Sequence, residues 1–333
     1  GAGTEPDHFY CYNKPVLSPA DAVVEEVIAY VEDNPVGGNN TRQNWGNTIV
    51  LKHTEGLYTK LSHLRKGSIK VVKGEKDKKG MVLAACGNSG RSPEPHLHFQ
   101  VQATPYIGSR TLAYPFSCYI RHDAEEKRIL ESFSTPSEET AVSNVMISQP
   151  LLQAFDFKPG LRMKAQSAGK SVEEWEVMVS AYNETYFYCA GTSSYAYFIN
   201  DGNLFYFTNF YGSRKGLLYL FYLASYKVLL SADQRIPVTD FYPQGFFGNR
   251  ITQWLQDLLA PFYLFTKWRY QCSLKMHDSL SGGEIQLQSS GLRQRGNKES
   301  SLMNASVTVK AGVLTGFSVE VNHHKTTVQC VHY

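Results

Sequence analysis

A chain of 333 residues has room for two hydrophobic cores and is too long for one small β module. Apolar residues at 42% and charged residues at 19% exclude wholesale disorder, and a formal charge of +3 excludes a strong general attraction to nucleic acid. An aromatic share of 13%, with 21 Tyr and 18 Phe, leans toward β structure.

The chain opens on Gly-Ala-Gly-Thr, with neither an initiator Met nor a signal-peptide pattern, so a processed chain or a piece of a longer protein is expected. From Pro15 to Gln102 short apolar runs alternate with turn residues. VVEEVIAYV (23–31), NTIVLKH (47–53), YTKLSHL (58–64), MVLAACG (81–87) and HLHFQVQ (96–102) read as strands separated by D-N-P, G-G-N-N and T-E-G. The basic run KVVKGEKDKKG (70–80) is interrupted by Gly and acidic residues and reads as a solvated hairpin. This stretch is an all-β, antiparallel unit with one face of each strand buried. A first domain is expected over residues 1–122 and a linker over 123–144, in which DAEEKRILESF has helical character.

Residues 145–333 have their own β pattern: YNETYFYCA (182–190), YAYFIN (195–200), NLFYFTNF (203–210), GLLYLFYLA (216–224), GEIQLQSS (283–290) and NASVTVKAGVLTGFSVEV (304–321). Ile251, Trp254, Leu255, Leu258 and Leu259 recur at helical spacing, with Pro261 as the stop. The expectation is a second β sandwich or barrel with a short helix. Its aromatic stripe reads as core, with a glycan-binding groove as the alternative. The longest apolar run, LLYLFYLASYKVLL (217–230), falls short of the roughly 20 residues that cross a bilayer and contains Lys227, so no membrane-spanning segment is expected. Six scattered cysteines without C-x-x-C argue against a cysteine zinc site; they fit buried thiols, or disulfides in an oxidising compartment.

Chemistry concentrates in GNSGRSPEPHLHFQVQ (87–102). On a strand, His96 and His98 would share a face, with Leu97 pointing into the opposite layer. An H-x-H alone fits surface imidazoles as well as a metal site. His63, in another strand-like segment, adds a third imidazole that could surround a metal-bound water. In the turn, Gly87 and Gly90 permit unusual backbone angles and Pro93 and Pro95 stiffen the approach. Asn88 and Arg91 are either turn formers or substrate contacts.

In order, WGNTIVLKH (45–53), YTKLSHL (58–64), KGMVL (79–83), GNSGRS (87–92) and PHLHF (95–99) resemble the lysostaphin-type zinc metallopeptidase family, and Pro15-Val16 and Ser18-Pro19-Ala20-Asp21 are similar to its early strands. The resemblance covers residues 15–102. It implies an antiparallel β sandwich with the active site in a groove on one sheet, and cleavage of peptide cross-links of bacterial peptidoglycan. It also implies a bacterial cell-envelope location, periplasmic or extracellular, with the cell wall and its peptides as partner. Zn2+ is the implied cofactor. Position by position, His98 resembles the zinc ligand of the H-x-H, and His63 and His96 resemble the non-ligand histidines that orient the attacking water and stabilise the oxyanion. Zinc would lower the pKa of its water toward about 7 and polarise the scissile carbonyl.

The family's other two ligands, in an H-x-x-x-D motif before the first strands, have no counterpart here: Asp7 follows Gly3 by four positions, and His8 sits beside it. Three expectations stand together. The ligands lie upstream of this chain, or Asp7 or His8 completes an unusual site, or the domain is a non-catalytic wall-binding or regulatory module. The chain also resembles segments that follow a urea-transporter-like membrane domain; an upstream membrane domain would fit that resemblance, while nothing in this chain supports transport. His53 resembles no functional position.

Overall fold

Turn residues punctuate the first part of the chain so closely that its longest strands have eight residues. In this computed structural model the described residues are 3–123, 125, 127–243, 267–278, 284–295 and 298–333. They form two compact units, Gly1–Pro115 and Phe116–Tyr333.

The first unit contains β1 (Pro15–Leu17), β2 (Ala22–Ile28), β3 (Asn47–Thr54), β4 (Leu57–Leu64), β5 (Lys76–Asp77), β6 (Val82–Ala85) and β7 (His98–Gln102). Five of them form an antiparallel sheet in the order β5-β2-β3-β4-β7. A second ladder, β1 with β6, is joined to it by the Leu64–Cys86 bridge. Val16 from β1 and Leu83 and Ala84 from β6 pack with Val24, Ile49, Leu51, Leu61 and Leu64, so both ladders share one core. The turn between β3 and β4 is Glu55-Gly56, and Gly56 takes φ +74°.

In the second unit β8 (Phe116–His122), β9 (Arg128–Ser134) and β10 (Ala141–Ser143) form a three-stranded sheet. Residues 123–144 are therefore not a plain linker: the compact units divide between Pro115 and Phe116, and RILESFS is strand β9 rather than helix. Pairing with β8, including the Arg121–Glu131 ion pair across the ladder, overrides the helical charge pattern.

After α1 (Gln149–Ala154) come β11 (Arg162–Gln166), β12 (Glu173–Val179), β13 (Thr185–Cys189), β14 (Ser194–Asn200) and β15 (Leu204–Tyr211), then α2 (Leu217–Ala224) and β16 (Lys227–Leu229). The remaining strands are β17 (Val238–Phe241), β18 (Lys267–Asp278), β19 (Glu284–Arg295), β20 (Lys298–Lys310), β21 (Val313–Val321) and β22 (His324–His332). Twelve strands make one antiparallel sheet, ordered β16-β15-β14-β13-β12-β11-β22-β21-β20-β19-β18-β17. Its two outer strands approach each other through Lys227–Asp240 (2.8 Å) and the Tyr226 hydroxyl donating to the Phe241 carbonyl (3.2 Å). The result is a nearly closed, barrel-like sheet, as the mainly β reading expects.

GLLYLFYLA, expected as a strand, forms α2 and is buried on nearly every side. A short continuous apolar run has no period to distinguish strand from helix. Here Glu173 decides: its carboxylate accepts from the backbone N–H of Leu217 (2.7 Å) and Leu218 (3.1 Å), which supplies the helix start. Trp175, Phe187, Phe207 and Phe317 line the sheet around the helix, with Trp175 stacked on Phe221 at 5.6 Å. The run 304–321 divides into β20 and β21 at Ala311-Gly312, both at positive φ. The helix expected at 249–259 lies outside the described residues. All six cysteines are free thiols, and no helix among the described residues is long and apolar enough to cross a membrane.

Candidate active site

Two glycine-containing segments interlock beneath the site. Gly46 (φ +62°) lies so close to the turn before β7 that a Cβ there would stand 2.3 Å from the Ser89 carbonyl oxygen; at Gly90 (φ +82°) a Cβ would stand 2.3 Å from the Gly46 nitrogen. Only glycine allows this approach. Between them Asn47, fully buried, accepts from Val31 N–H (2.8 Å) and donates to the carbonyls of Val31 (2.7 Å) and Leu64 (3.0 Å). Ser89 Oγ accepts from Asn47 N–H (2.9 Å) and donates to the Leu64 carbonyl (2.7 Å). The G-N of β3 and the G-N-S-G turn are thus two halves of one backbone clamp.

Asn88 belongs to that clamp. It is fully buried, its amide donates to the Asn34 carbonyl (3.0 Å), and its oxygen accepts from Ser92 Oγ (2.8 Å). Of the two turn residues weighed as substrate contacts, Asn88 is committed to the turn, while Arg91 is exposed.

The clamp delivers three imidazoles to one place. Strict alternation would put His63 on the same face as Leu61, toward the core. The ladder of β3 with β4 slips by one residue between the pairs Asn47–Leu64 and Ile49–Leu61, and His63 takes φ +62°. This bulge turns the side chain, and the His63 ring ends 4.7 Å from His96 and 6.0 Å from His98, centroid to centroid. The strand expected from His96 begins only at His98. His96 is therefore brought in by the Pro-stiffened turn rather than by pleat alternation, and Leu97 is 40% exposed instead of packed into a second layer.

Hydrogen bonds decide which nitrogen each ring offers. His63 Nδ1–H donates to the Ser89 carbonyl (2.8 Å) and His96 Nδ1–H to the Glu94 carbonyl (2.9 Å), so Nε2 is the ring nitrogen each turns away from its anchoring carbonyl. Gln100 Nε2 donates to the Ser109 carbonyl (2.6 Å), so its Oε1 faces His98 Nε2 (3.3 Å) and must accept. His98 is thereby the Nε2–H tautomer with a lone pair on Nδ1. Burial lowers the His63 pKa to about 4, and the neighbouring histidines and Lys60 act in the same direction. Burial also lowers the pKa of His98.

Sequence reasoning assigned no role to Trp45, Lys60 and Gln100. Trp45 lies 4.9 Å from the His98 ring, and Lys60 Nζ sits 3.0 Å over the Trp45 ring. Lys60 is fully buried, its Nζ has no hydrogen-bond partner among the described residues, and burial lowers its pKa to about 8. The period-2 signal could have found Gln100 and Gln102, since both share the face of His98. Gln102 Nε2 donates to Thr104 (2.7 Å) and Tyr106 (3.1 Å) carbonyls, tying β7 to the following loop.

Asp7 and His8 sit in a short turn, Pro6–His8, both exposed, with His8 Nδ1 accepting from Glu5 N–H at 3.3 Å. No bond among the described residues joins either to His63, His96 or His98. A catalytic zinc needs three protein ligands and one open position. Among the described residues no three His, Cys, Asp or Glu side chains converge to hold a metal. The residues present do not fit the ion. His53 bridges the Asp21 carbonyl (3.0 Å) and Thr59 Oγ1 (2.8 Å), a structural position.

Residues 7–108 match the family described as Peptidase family M23. A Haemophilus influenzae protein described as an uncharacterized metalloprotease is 38% identical over 117 residues, 35% of this chain and 22% of the relative. Peptidoglycan DD-endopeptidase ShyB of Vibrio cholerae is 43% identical over 87 residues, 26% of this chain and 18% of the relative. The matched segment is thus about a fifth of those relatives' length. Among solved structures, lysostaphin of Staphylococcus simulans aligns at 14% identity and a TM-score of 0.24, covering 64% of this chain and 93% of that one. Residues 7–108 of this chain are thus similar to the M23, lysostaphin-type, peptidase family.

Proposed function

We propose that residues 7–108 act on peptide cross-links of peptidoglycan in the bacterial cell envelope, as a cell-wall peptidase domain. The observation that carries this reading is the convergence of His63, His96 and His98 beside Trp45, with each tautomer set by a neighbouring carbonyl or amide. Relatives named as peptidoglycan DD-endopeptidases support the substrate class. His63 and His96 are anchored through Nδ1, which turns each Nε2 toward the site as the position for proton transfer. The expectation that Asp7 or His8 adds a ligand finds no support in their placement.

A second reading, a non-catalytic wall-binding module, is favoured by the missing ligand set. Zinc per chain, measured after dialysis against trace zinc with His98→Ala as control, separates the two. About one zinc lost in the variant, together with solubilisation of purified peptidoglycan, supports the peptidase. No zinc and no solubilisation, with peptidoglycan still retained in a sedimentation assay, supports the binding module and removes hydrolysis from what this chain does alone.

A further inference from the structure

The outer face of the twelve-stranded sheet carries an aromatic patch that the core does not use. β13, β14 and β15 send Phe187, Ala196, Phe198 and Phe207 inward, so the alternate residues point out. The ladder pairs Tyr188 with Tyr195, Tyr195 with Tyr211, and Tyr186 with Tyr197. The rings meet at 5.0 Å (Tyr188–Tyr195), 4.9 Å (Tyr186–Tyr197), 5.8 Å (Tyr186–Tyr195) and 6.0 Å (Tyr197–Tyr211). Tyr211 is 58% exposed and the other four are half-buried.

Mutual packing explains why the tyrosines touch. It does not require phenols: Phe, Val or Ile would serve a cross-strand cluster as well. Five hydroxyl-bearing rings on a solvent face form a surface that is apolar across the rings and polar at their edges.

The charges beside the patch limit what can occupy it. On the adjoining strands β11 and β12, Arg162 pairs with Glu176 (3.4 Å) and Lys164 with Glu174 (3.3 Å). The flank is therefore balanced. A single-stranded nucleic acid needs a basic groove beside its stacking rings, and an anionic membrane surface needs unpaired Lys or Arg. On β11 and β12 neither condition is met.

A neutral sugar polymer fits. The C–H bonds on one side of a pyranose carry partial positive charge and meet the negative face of an aromatic ring, while its hydroxyls find phenolic oxygens at the ring edges. Adjacent strands lie about 4.8 Å apart, so Tyr188, Tyr195 and Tyr211 span ~10 Å, the reach of a short oligosaccharide.

We infer that the tyrosine face of β13, β14 and β15 is a binding site for a neutral pyranose polymer, engaged by ring stacking. That the polymer is the glycan strand of the wall rests on the proposed function; the stacking chemistry does not.

The test uses the full chain and two neutral probes without cleavable peptide: a soluble chito-oligosaccharide, and wall glycan strands stripped of their stem peptides with the freed muramyl carboxylates amidated. Binding is followed by calorimetry for the native chain, Tyr197→Ala, Tyr211→Ala and, as control, Tyr182→Ala, whose ring is 87% exposed outside the patch. The expected result is binding to both probes, weakened about ten-fold or more by Tyr197→Ala and Tyr211→Ala and unchanged by Tyr182→Ala, with far-UV circular dichroism preserved. Tyr211 packs least, so it keeps the test open if Tyr197→Ala fails to fold. Binding to chito-oligosaccharide alone would keep the site and remove the wall glycan as its ligand. No binding to either probe, binding indifferent to both tyrosines, or a dimer in sedimentation that Tyr211→Ala dissociates would overturn the inference. Because neither probe can be hydrolysed by a peptidase, loss of peptidoglycan cleavage leaves this result untouched.

Discussion

His63 Nδ1 lies 2.8 Å from the Ser89 carbonyl, so the turn that precedes β7 holds the imidazole that β4 delivers. The bond favours a protonated Nδ1, yet burial dominates and keeps the ring neutral, with a pKa of about 4. In the unfolded chain the same ring titrates near 6.5. Below that value the unfolded state binds a proton that the folded state refuses, so stability falls as pH drops from 6.5 toward 4. Urea unfolding of the chelator-treated protein should lose roughly 2–3 kcal/mol across this window from His63. His63→Asn should flatten the slope there; an unchanged slope would mean that the ring is solvated.

The glycine clamp makes a paired prediction. Gly46→Ala and Gly90→Ala each place a methyl group 2.3 Å from backbone atoms at positive φ, and each should destabilise the first unit by about 3 kcal/mol or more. Gly56→Ala, at φ +74° with no neighbour within 4 Å, bears only the conformational strain and should cost about 1 kcal/mol. Equal costs in denaturant titrations would contradict the close approach.

Glu173 is 6% exposed and accepts from two α2 backbone N–H groups and from Trp175 Nε1 (2.9 Å). Glu173→Ala leaves three buried donors without that partner, and should lower the stability of the second unit by about 3–5 kcal/mol. Glu173→Gln, which keeps the volume and one acceptor oxygen, should lose less. Calorimetric melting of the full chain ranks the two, and a near-neutral alanine variant would show that water replaces the carboxylate.

Lys60 carries a buried ammonium with no hydrogen-bond partner among the described residues. Lys60→Met keeps the length of the side chain over Trp45 and removes the desolvated charge. A gain of about 1 kcal/mol is expected, because desolvation outweighs the cation–π attraction. A loss of 2 kcal/mol or more in the same unfolding assay would reverse that ranking.

Much of the first unit was legible from residues alone. Turn residues at Glu55-Gly56 and the G-N-S-G segment bound apolar runs of strand length, and these signals are local, so β3, β4 and β6 lie within a residue or two of the expected spans. The trio His63, His96 and His98 could be named because the motif order brought them forward. Their orientation could not: alternation alone sends His63 toward the core, and the bulge that turns it arises from pairing with a partner 14–17 residues away.

In the second unit the sequence marked the strands and the aromatic content but misassigned two segments. RILESFS became a strand because β8 offered it a ladder. GLLYLFYLA became a helix because Glu173, more than 40 residues earlier, meets its first N–H groups while the surrounding sheet buries nearly every side. Composition, turn chemistry and motif order are properties of neighbouring residues, and they determined the β class, the M23-like segment and the identity of the three histidines. Tautomer, burial and the choice between helix and strand for an unbroken apolar run depend on partners distant in the chain, so only the tertiary structure decided them.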